Sequence, residues 1–365
     1  MNIPALVLNA YGLHPEMVEV VPFGSGLINH TWKINNGSKS YILQKINHGV
    51  FTNPEAIAFN IQSVSAYLKK HSPDYYFVAP LSSVDGKEIL FDNSDTPGYY
   101  RMFPFVEGSH SIDVVRTASE AYEAARQFGK FTKLLEGFAC ESLQITLPDF
   151  HHLGLRYQQF LDAIENGNPE RIRESASLIR FMKEQEGVVA AFRAIGNNPA
   201  FKKRVTHHDT KISNVLFDGN GKALCVIDLD TLMPGYFISD VGDMMRTYLC
   251  TVSEEEADFS KIEVRENVYK AIVQGYFTEM EDELSEEEKK HFFYSGKFMI
   301  YMQALRFLTD YLNNDRYYGA DYTGHNLIRA GNQSVLLQKL LEKESVLSAY
   351  RPETKKTDLQ SLRTI

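Results

Sequence analysis

The chain has 365 residues, 44% of them hydrophobic, and a formal net charge of −9. That length and apolar content suffice for a sizeable core in two domains or one two-lobed unit. The acidity is dispersed, without the clustered Lys and Arg that non-specific nucleic-acid binding requires, so no polyanionic partner is expected.

Met1-Asn2-Ile3-Pro4 is not a basic stretch leading into an apolar run, and no apolar segment of 18 residues occurs, so neither a leader nor a membrane contact is expected. The cysteines Cys140, Cys225 and Cys250 lack metal-type spacing. Their pattern predicts buried free thiols and a reducing, cytoplasmic setting.

From Glu19 to about Phe103 short β-like runs such as Thr31-Trp32-Lys33-Ile34 alternate with turns at Asn36-Gly37 and Asp85-Gly86, which predicts a small antiparallel sheet. One helix interrupts it from Pro54 to Lys69, with Ile57, Ile61, Val64 and Leu68 on a stripe and Pro54 suited to its first turn. Between the first two strand-like runs lies Gly24-Ser25-Gly26, where missing or small side chains let backbone amides approach phosphate oxygens. Tyr41-Ile42-Leu43-Gln44 occupies the place of a phosphate-gripping strand that would end in Lys. Here the end is Gln44, followed by Lys45. Side chains alternate along a strand, so Gln44 is the favoured cleft residue and Lys45 would turn inward only through a bulge. Gln62 and Glu55 are both open as the helix partner of that position.

Tyr99 to Gly108 joins the sheet to the helical part of the chain, and a joint around Met102, Phe103 and Phe105 would offer backbone groups to adenine between apolar side chains. Helical periodicity then dominates, over residues 115–136, 155–166, 171–195, 263–280, 286–313 and 333–347.

The most specific segment interrupts these helices. In His207-His208-Asp209-Thr210-Lys211-Ile212-Ser213-Asn214 an Asp precedes an Asn by five positions. That matches a kinase catalytic loop, in which the first residue orients a substrate hydroxyl and the second holds Mg²⁺. Asp218-Gly219-Asn220-Gly221 favours a tight reversal between two apolar runs, returning Asp228 beside Asn214 as a second metal ligand. The Asp-to-Asn spacing alone is common. The histidines before it, Lys211, the hairpin and Ile227-Asp228 make it specific. Asp240 or Asp243, at the start of the next helix, is expected to brace the loop rather than to act chemically. Arg306, Asp310, Asp315, Arg316, Tyr317, Tyr318, His325 and Asn326 mix rings with polar groups, as a sugar site does, although a Tyr-rich helix end is more often core packing.

Taken in order, the glycine turn, Tyr41-Ile42-Leu43-Gln44, the Asp209–Asn214 loop, Ile227-Asp228-Leu229-Asp230 and the later Asp240 and Asp243 resemble the aminoglycoside phosphotransferase and choline kinase superfamily. Within it, Phe23 to Asn29, Val205 to Lys211, Ile227 to Gly235 and Arg306 to Leu312 resemble the N-acetylhexosamine 1-kinases over almost the whole chain. The resemblance implies an α+β, bilobal, protein-kinase-like fold. Residues 1–105 would form a small antiparallel β-sheet lobe that binds nucleotide, residues 106–350 a larger, mostly helical lobe, and residues 351–365 a polar tail. It also implies ATP-dependent phosphorylation of the C1 hydroxyl of N-acetylglucosamine or N-acetylgalactosamine with Mg²⁺. Asp209 would be the base, Asn214 and Asp228 the metal ligands, and Arg306 and Tyr317 neighbours of the sugar. Where that family has an acidic residue in its small-lobe helix, this chain has Gln62, which leaves nucleotide clamping and sugar preference open. The alternatives are another small-molecule kinase, acting on choline, an amino acid or an antibiotic, and a nucleotide-binding pseudokinase suggested by the missing strand Lys. Arg306 counts against a cationic acceptor, and intact Asp209, Asn214 and Asp228 count against a pseudokinase.

Overall fold

A computed structural model describes residues 3–24, 26, 28–37, 39–93 and 97–352. Among them, β1 (Glu19–Pro22), β2 (His30–Asn36), β3 (Lys39–Ile46), β4 (Leu90–Asp92) and β5 (Gly98–Pro104) form an antiparallel sheet in the order β1-β2-β3-β5-β4. Alternation gives the sheet two different faces. Trp32, Ile34, Leu43, Tyr100 and Met102 pack outward under Val7 and Leu8 of α1 (Ala5–Ala10). Thr31, Gln44 and Arg101, linked by the β2–β3–β5 register, lie on the opposite face. Between β3 and β4 runs α2 (Pro54–His71), whose first turn is capped by the Asn53 side chain accepting from the Ala56 amide at 3.2 Å. Asn60 of α2 is fully buried and donates to the carbonyls of Gln144 and Leu232, both at 2.8 Å, tying this helix to the second half of the chain.

That second half is mainly helical: α3 (Ala118–Leu134), α4 (Leu153–Asn166), α5 (Pro169–Glu174), α6 (Ala176–Glu184), α7 (Gly187–Gly196), α8 (Phe237–Tyr248), α9 (Glu266–Met280), α10 (Glu286–Lys290), α11 (Phe292–Leu312), α12 (His325–Glu342) and α13 (Glu344–Leu347). Two short antiparallel pairs interrupt it. β6 (Arg204–Thr206) pairs with β9 (Met233–Gly235), and β7 (Val215–Phe217) with β8 (Ala223–Val226). The α+β, two-part architecture expected of a protein-kinase-like fold is the one found. No helix among the described residues is long and apolar enough to cross a membrane. Cys140, Cys225 and Cys250 are buried free thiols.

Local breaks account for the differences from the periodicity. The helical pattern over 171–195 is three helices, because Ser175 closes α5 and opens α6 with its hydroxyl on the Arg171 carbonyl, and a second break falls at Gln185 and Glu186. The pattern over 286–313 breaks at His291. The last long helix starts at His325 rather than Gln333, behind Gly324 at φ 85°, and its buried side carries Asn326, Asn332 and Gln333. An apolar stripe could not reveal a helix whose hidden face is amide-rich.

Glycine permits two close helix crossings. A Cβ on Gly275 would run into the Tyr122 carbonyl where α9 crosses α3, and one on Gly242 would run into the Ser295 carbonyl where α8 crosses α11. In an open helix Gly→Ala gains about 1 kcal/mol. Gly275→Ala should instead destabilise the protein by roughly 1–3 kcal/mol, the usual cost of overpacking. Urea titration of wild type and variant measures this, and a raised midpoint would contradict the close crossing.

Candidate active site

The site is built on the open end of the β7–β8 hairpin. The Ile227 amide donates to the Asn214 carbonyl at 2.9 Å, which brings Asn214 and Asp228 side by side from its two arms. The loop before it, His207 to Thr210, belongs to no strand or helix and is held from below by α8. The Asp240 carboxylate accepts the His207 and His208 amides at 3.1 and 2.7 Å, and Asp243 accepts the Thr210 amide at 2.7 Å. His207 donates through Nε2 to the Ile227 carbonyl (2.9 Å) and accepts the Asp209 amide at Nδ1 (3.3 Å), so its ring fixes the distance between loop and hairpin. His208 takes a left-handed conformation at φ 67°, which turns the chain so that Asp209 follows at the cleft.

Asp209 meets Lys211 Nζ at 2.9 Å and Asn214 Nδ2 at 3.0 Å through Oδ2. Burial alone would raise its carboxyl, but the charge and hydrogen bond of Lys211, with His207 and Asn214, hold it below the usual carboxylate range. Asp209 is therefore ionised and oriented. The amide nitrogen of Asn214 is committed to Asp209, both to its carboxylate and to its carbonyl at 2.9 Å. Oδ1 is thus the atom of Asn214 suited to a cation.

Asp228 also sits in the left-handed region, at φ 61° and ψ 65°, which Asp tolerates better than most residues. Burial, then the nearby Asp230 and Asp209 carboxylates, push its carboxyl up to about 7 against the opposing pull of Lys211 and Arg101. A carboxylate crowded by two others, beside an amide oxygen, is the donor set of a hard divalent cation that also takes phosphate oxygens. No cluster of three or more His, Cys, Asp and Glu able to hold a metal occurs among the described residues.

From the sheet side, Gln44 faces the cleft, but its Oε1 is occupied by Arg101, whose Nε and Nη2 donate at 3.0 and 2.8 Å. Lys45 is on the other face, its Nζ 5.6 Å from the Tyr100 ring centroid. Neither candidate helix partner reaches Gln44: Gln62 binds Glu88 at 2.9 Å, and Glu55 interacts with Tyr99. Gly24 (φ 79°) and Gly26 have open space where a Cβ would stand, whereas Ser25 lies outside the described residues. Phe105 lies edge-on to Phe23, 5.9 Å between centroids, next to that turn. Phe103 is on the cleft face with Arg101 5.1 Å from its ring. Met102 points away. Its side chain is in the outer core and its carbonyl accepts the Leu81 amide at 2.7 Å, so of the three joint residues only Phe103 and Phe105 present rings on the cleft side.

Arg306 and Tyr317 line a cavity of about 500 Å³ between α4 and the end of α11, together with Arg156, Asp162, Asp310 and Tyr318. Asp310 is spent on structure, accepting the Tyr317 and Tyr318 amides at 2.7 and 2.9 Å and Asn326 at 3.2 Å. Asn326 and His325 are buried and belong to the first turn of α12, not to the cavity. Tyr317 is 71% exposed. Arg306 reaches the catalytic loop through rings: its guanidinium is 5.9 Å from Phe150, which stacks on His151, which lies 5.4 Å from His208. His151 and His208 share the Ser239 hydroxyl.

Several residues around the site stand in no motif: Arg101, Asn60, Phe150, His151 and Arg156. A charge in the otherwise apolar run Tyr99-Tyr100-Arg101-Met102-Phe103 was a signal available in the sequence. The others become meaningful only through contacts distant in the chain.

Residues 19–286 match the model of the phosphotransferase enzyme family known as APH. Among solved structures, the chain is similar to a microcompartment-associated aminopropanol kinase, with 17% identity, a TM-score of 0.64 and coverage of 95% of this chain and 98% of that one. An aminoglycoside phosphotransferase from Alicyclobacillus acidocaldarius subsp. acidocaldarius DSM 446 gives 11%, 0.62, 94% and 97%. An amicoumacin kinase in complex with AMP-PNP, Ca²⁺ and Ami gives 14%, 0.59, 93% and 94%. At these identities the structures share the fold. With the family model spanning most of the chain, this protein belongs to the phosphotransferase enzyme family.

Proposed function

We propose that this protein is an ATP-dependent kinase of N-acetylhexosamines that phosphorylates the anomeric C1 hydroxyl. The observation that carries the acceptor class is the cavity between α4 and the end of α11, whose Arg306 is linked to the loop of His207 to Thr210 through Phe150 and His151. It combines tyrosine rings with Arg156 and Arg306, while one of its carboxylates, Asp310, is already consumed by backbone amides. Burial, then the Arg306 charge, push Arg156 below its ordinary range, a sign of a cavity biased positive. Such a cavity disfavours choline or an aminoglycoside and suits a neutral polyol whose ring face lies on tyrosine and whose hydroxyls and acetamido group meet guanidinium donors.

In this assignment Asp209, kept ionised by Lys211, accepts a hydrogen bond from the acceptor hydroxyl and takes its proton as the new O–P bond forms and the bond from the γ-phosphorus to ADP breaks, releasing ADP. Asn214 and Asp228 would hold Mg²⁺, which spreads the charge of the transferring phosphoryl group when bound. The neighbour solved with AMP-PNP and Ca²⁺ supports a nucleotide and a divalent cation as the class of ligand. The presence of Asp209, Asn214 and Asp228 together supports a kinase over a pseudokinase, although the strand Lys is replaced by Gln44.

Asp209→Asn should keep fold and nucleotide binding and lose on the order of 10²–10⁴ in turnover, the scale of a removed general base; turnover within a few-fold of wild type excludes that role. Asp228→Asn, which retains the left-handed conformation but removes the charge, should abolish the Mg²⁺ dependence of nucleotide binding in calorimetry. Unchanged affinity for Mg·ATP would take Asp228 out of the metal site.

An ADP-release screen with N-acetylhexosamines, plain hexoses, choline and aminoglycosides tests the acceptor. N-acetylglucosamine and N-acetylgalactosamine should both turn over, glucose and galactose clearly more slowly, and Arg306→Ala and Tyr317→Phe should raise the sugar KM more than the ATP KM. Product phosphorylated at C6, or faster turnover of choline, overturns the acceptor assignment and leaves the phosphotransferase family unaffected.

A further inference from the structure

We infer that Arg101 is a positioning residue that replaces the missing strand Lys, holding the glycine turn and the metal-bearing segment in register through a buried ion pair with Asp230. The inference rests on the nucleotide half of the proposed function and is independent of the acceptor.

Arg101 is on the cleft face of β5, in register with Gln44 on β3, and only 3% of its side chain is exposed. Its Nη1 lies 2.5 Å from Asp230 Oδ1, and the Asp230 side chain is equally buried. The other carboxylate oxygen of Asp230 accepts Asn29 Nδ2 at 2.7 Å, and Asn29 Oδ1 accepts the Asn47 amide at 3.0 Å. Asn29 lies three residues beyond Gly26, and Asp230 two residues beyond Asp228. One carboxylate thus joins three parts of the cleft: the glycine turn through Asn29, the sheet through Arg101 and Gln44, and the metal segment through its own backbone.

In a kinase with a strand Lys, the cation stands on the strand that here ends in Gln44, and its counter-charge is supplied by a helix of the small lobe. Here Gln44 is neutral and Gln62 and Glu55 are engaged elsewhere. The cation comes from the next strand and the counter-charge from the catalytic half of the molecule. The Arg101–Asp230 contact is close, yet Nη1 and Oδ1 form no directed hydrogen bond with any described partner. The pair is held by charge rather than by geometry. A buried pair of this kind contributes little net stability but strongly penalises loss of one partner, which suits a register device.

The test uses the full-length protein without acceptor. Affinities for AMP, ADP and Mg·ATP are measured by calorimetry on wild type, Arg101→Gln, Asp230→Asn, the double variant and Asn29→Ala, each with a melting temperature. Each single charge variant should melt lower, and the double variant, with no unpaired charge left, should recover most of that loss. Mg·ATP affinity should nevertheless stay at least 10-fold weaker in the double variant, with AMP affinity within about twofold of wild type. Asn29→Ala, which removes the Asp230 and Asn47 contacts but no charge, should weaken Mg·ATP about 3–10-fold with a smaller loss of melting temperature than either single charge variant, so the question is answered even if the charge variants fold poorly. Wild-type Mg·ATP affinity in the double variant or in Asn29→Ala overturns the inference, as does equal loss of AMP binding, because the network would then only support folding of the adenine end. A failed acceptor screen leaves these affinities untouched, so the two conclusions fail separately.

Discussion

A loop that crosses the interior outside any helix or sheet must find acceptors for its amides, and here two carboxylates a turn apart on α8 provide them. Asp240 takes the amides of His207 and His208, and Asp243 takes that of Thr210. A buried amide left without a partner costs about 1–3 kcal/mol, and domains are stable by only about 5–15 kcal/mol, so three such amides are a large share of the whole. Burial pushes the Asp240 carboxyl up to about 6, offset in part by His207 and by those same amides. The carboxylates can serve only if α8 stays enclosed. Its crossing with α11 at Gly242 secures that, and α11 also carries Arg306. The loop, its bracing helix and the helix that carries Arg306 are one packed body.

Electrostatics around the loop follow from the same burial. Desolvation, then His207, lower His208 to about 4, so its ring is neutral at neutral pH. Lys211 is left as the close cation of Asp209. Below the loop, Asp243 pairs with Arg246 at 3.0 Å, Arg246 with Glu254 at 2.9 Å, and Glu254 with Arg329, whose guanidinium lies 3.8 Å from the Phe307 ring centroid and 5.4 Å from that of Tyr318. The brace of the loop is therefore continuous with the wall of the cavity that Arg306 and Tyr318 line.

Charge is sorted across the cleft. The sheet contributes Arg101, the loop before the β7–β8 hairpin contributes Asp209, the segment after the hairpin contributes Asp228 and Asp230, and the cavity between α4 and α11 contributes Arg156 and Arg306.

Much of this was readable from the chain alone. The α+β division, the reversal at Asp218 to Gly221 and the Asp209–Asn214 spacing are written in residues close together, where turn chemistry, side-chain alternation and helical period act directly on neighbours. The placing of Gln44 and Lys45 on opposite faces follows from the same alternation. Tertiary packing alone decided that Met102 faces the outer core, that the amide-rich face of α12 is buried, that Asn60 rather than Gln62 ties α2 to the second half of the chain, and that the cleft cation comes from β5. Local propensity is indifferent to these choices. Whether Arg101 meets Asp230, or Asn326 meets Asp310, depends on strand register and helix crossings that bring distant segments together, and a buried polar group acquires its meaning only from the partner that satisfies it.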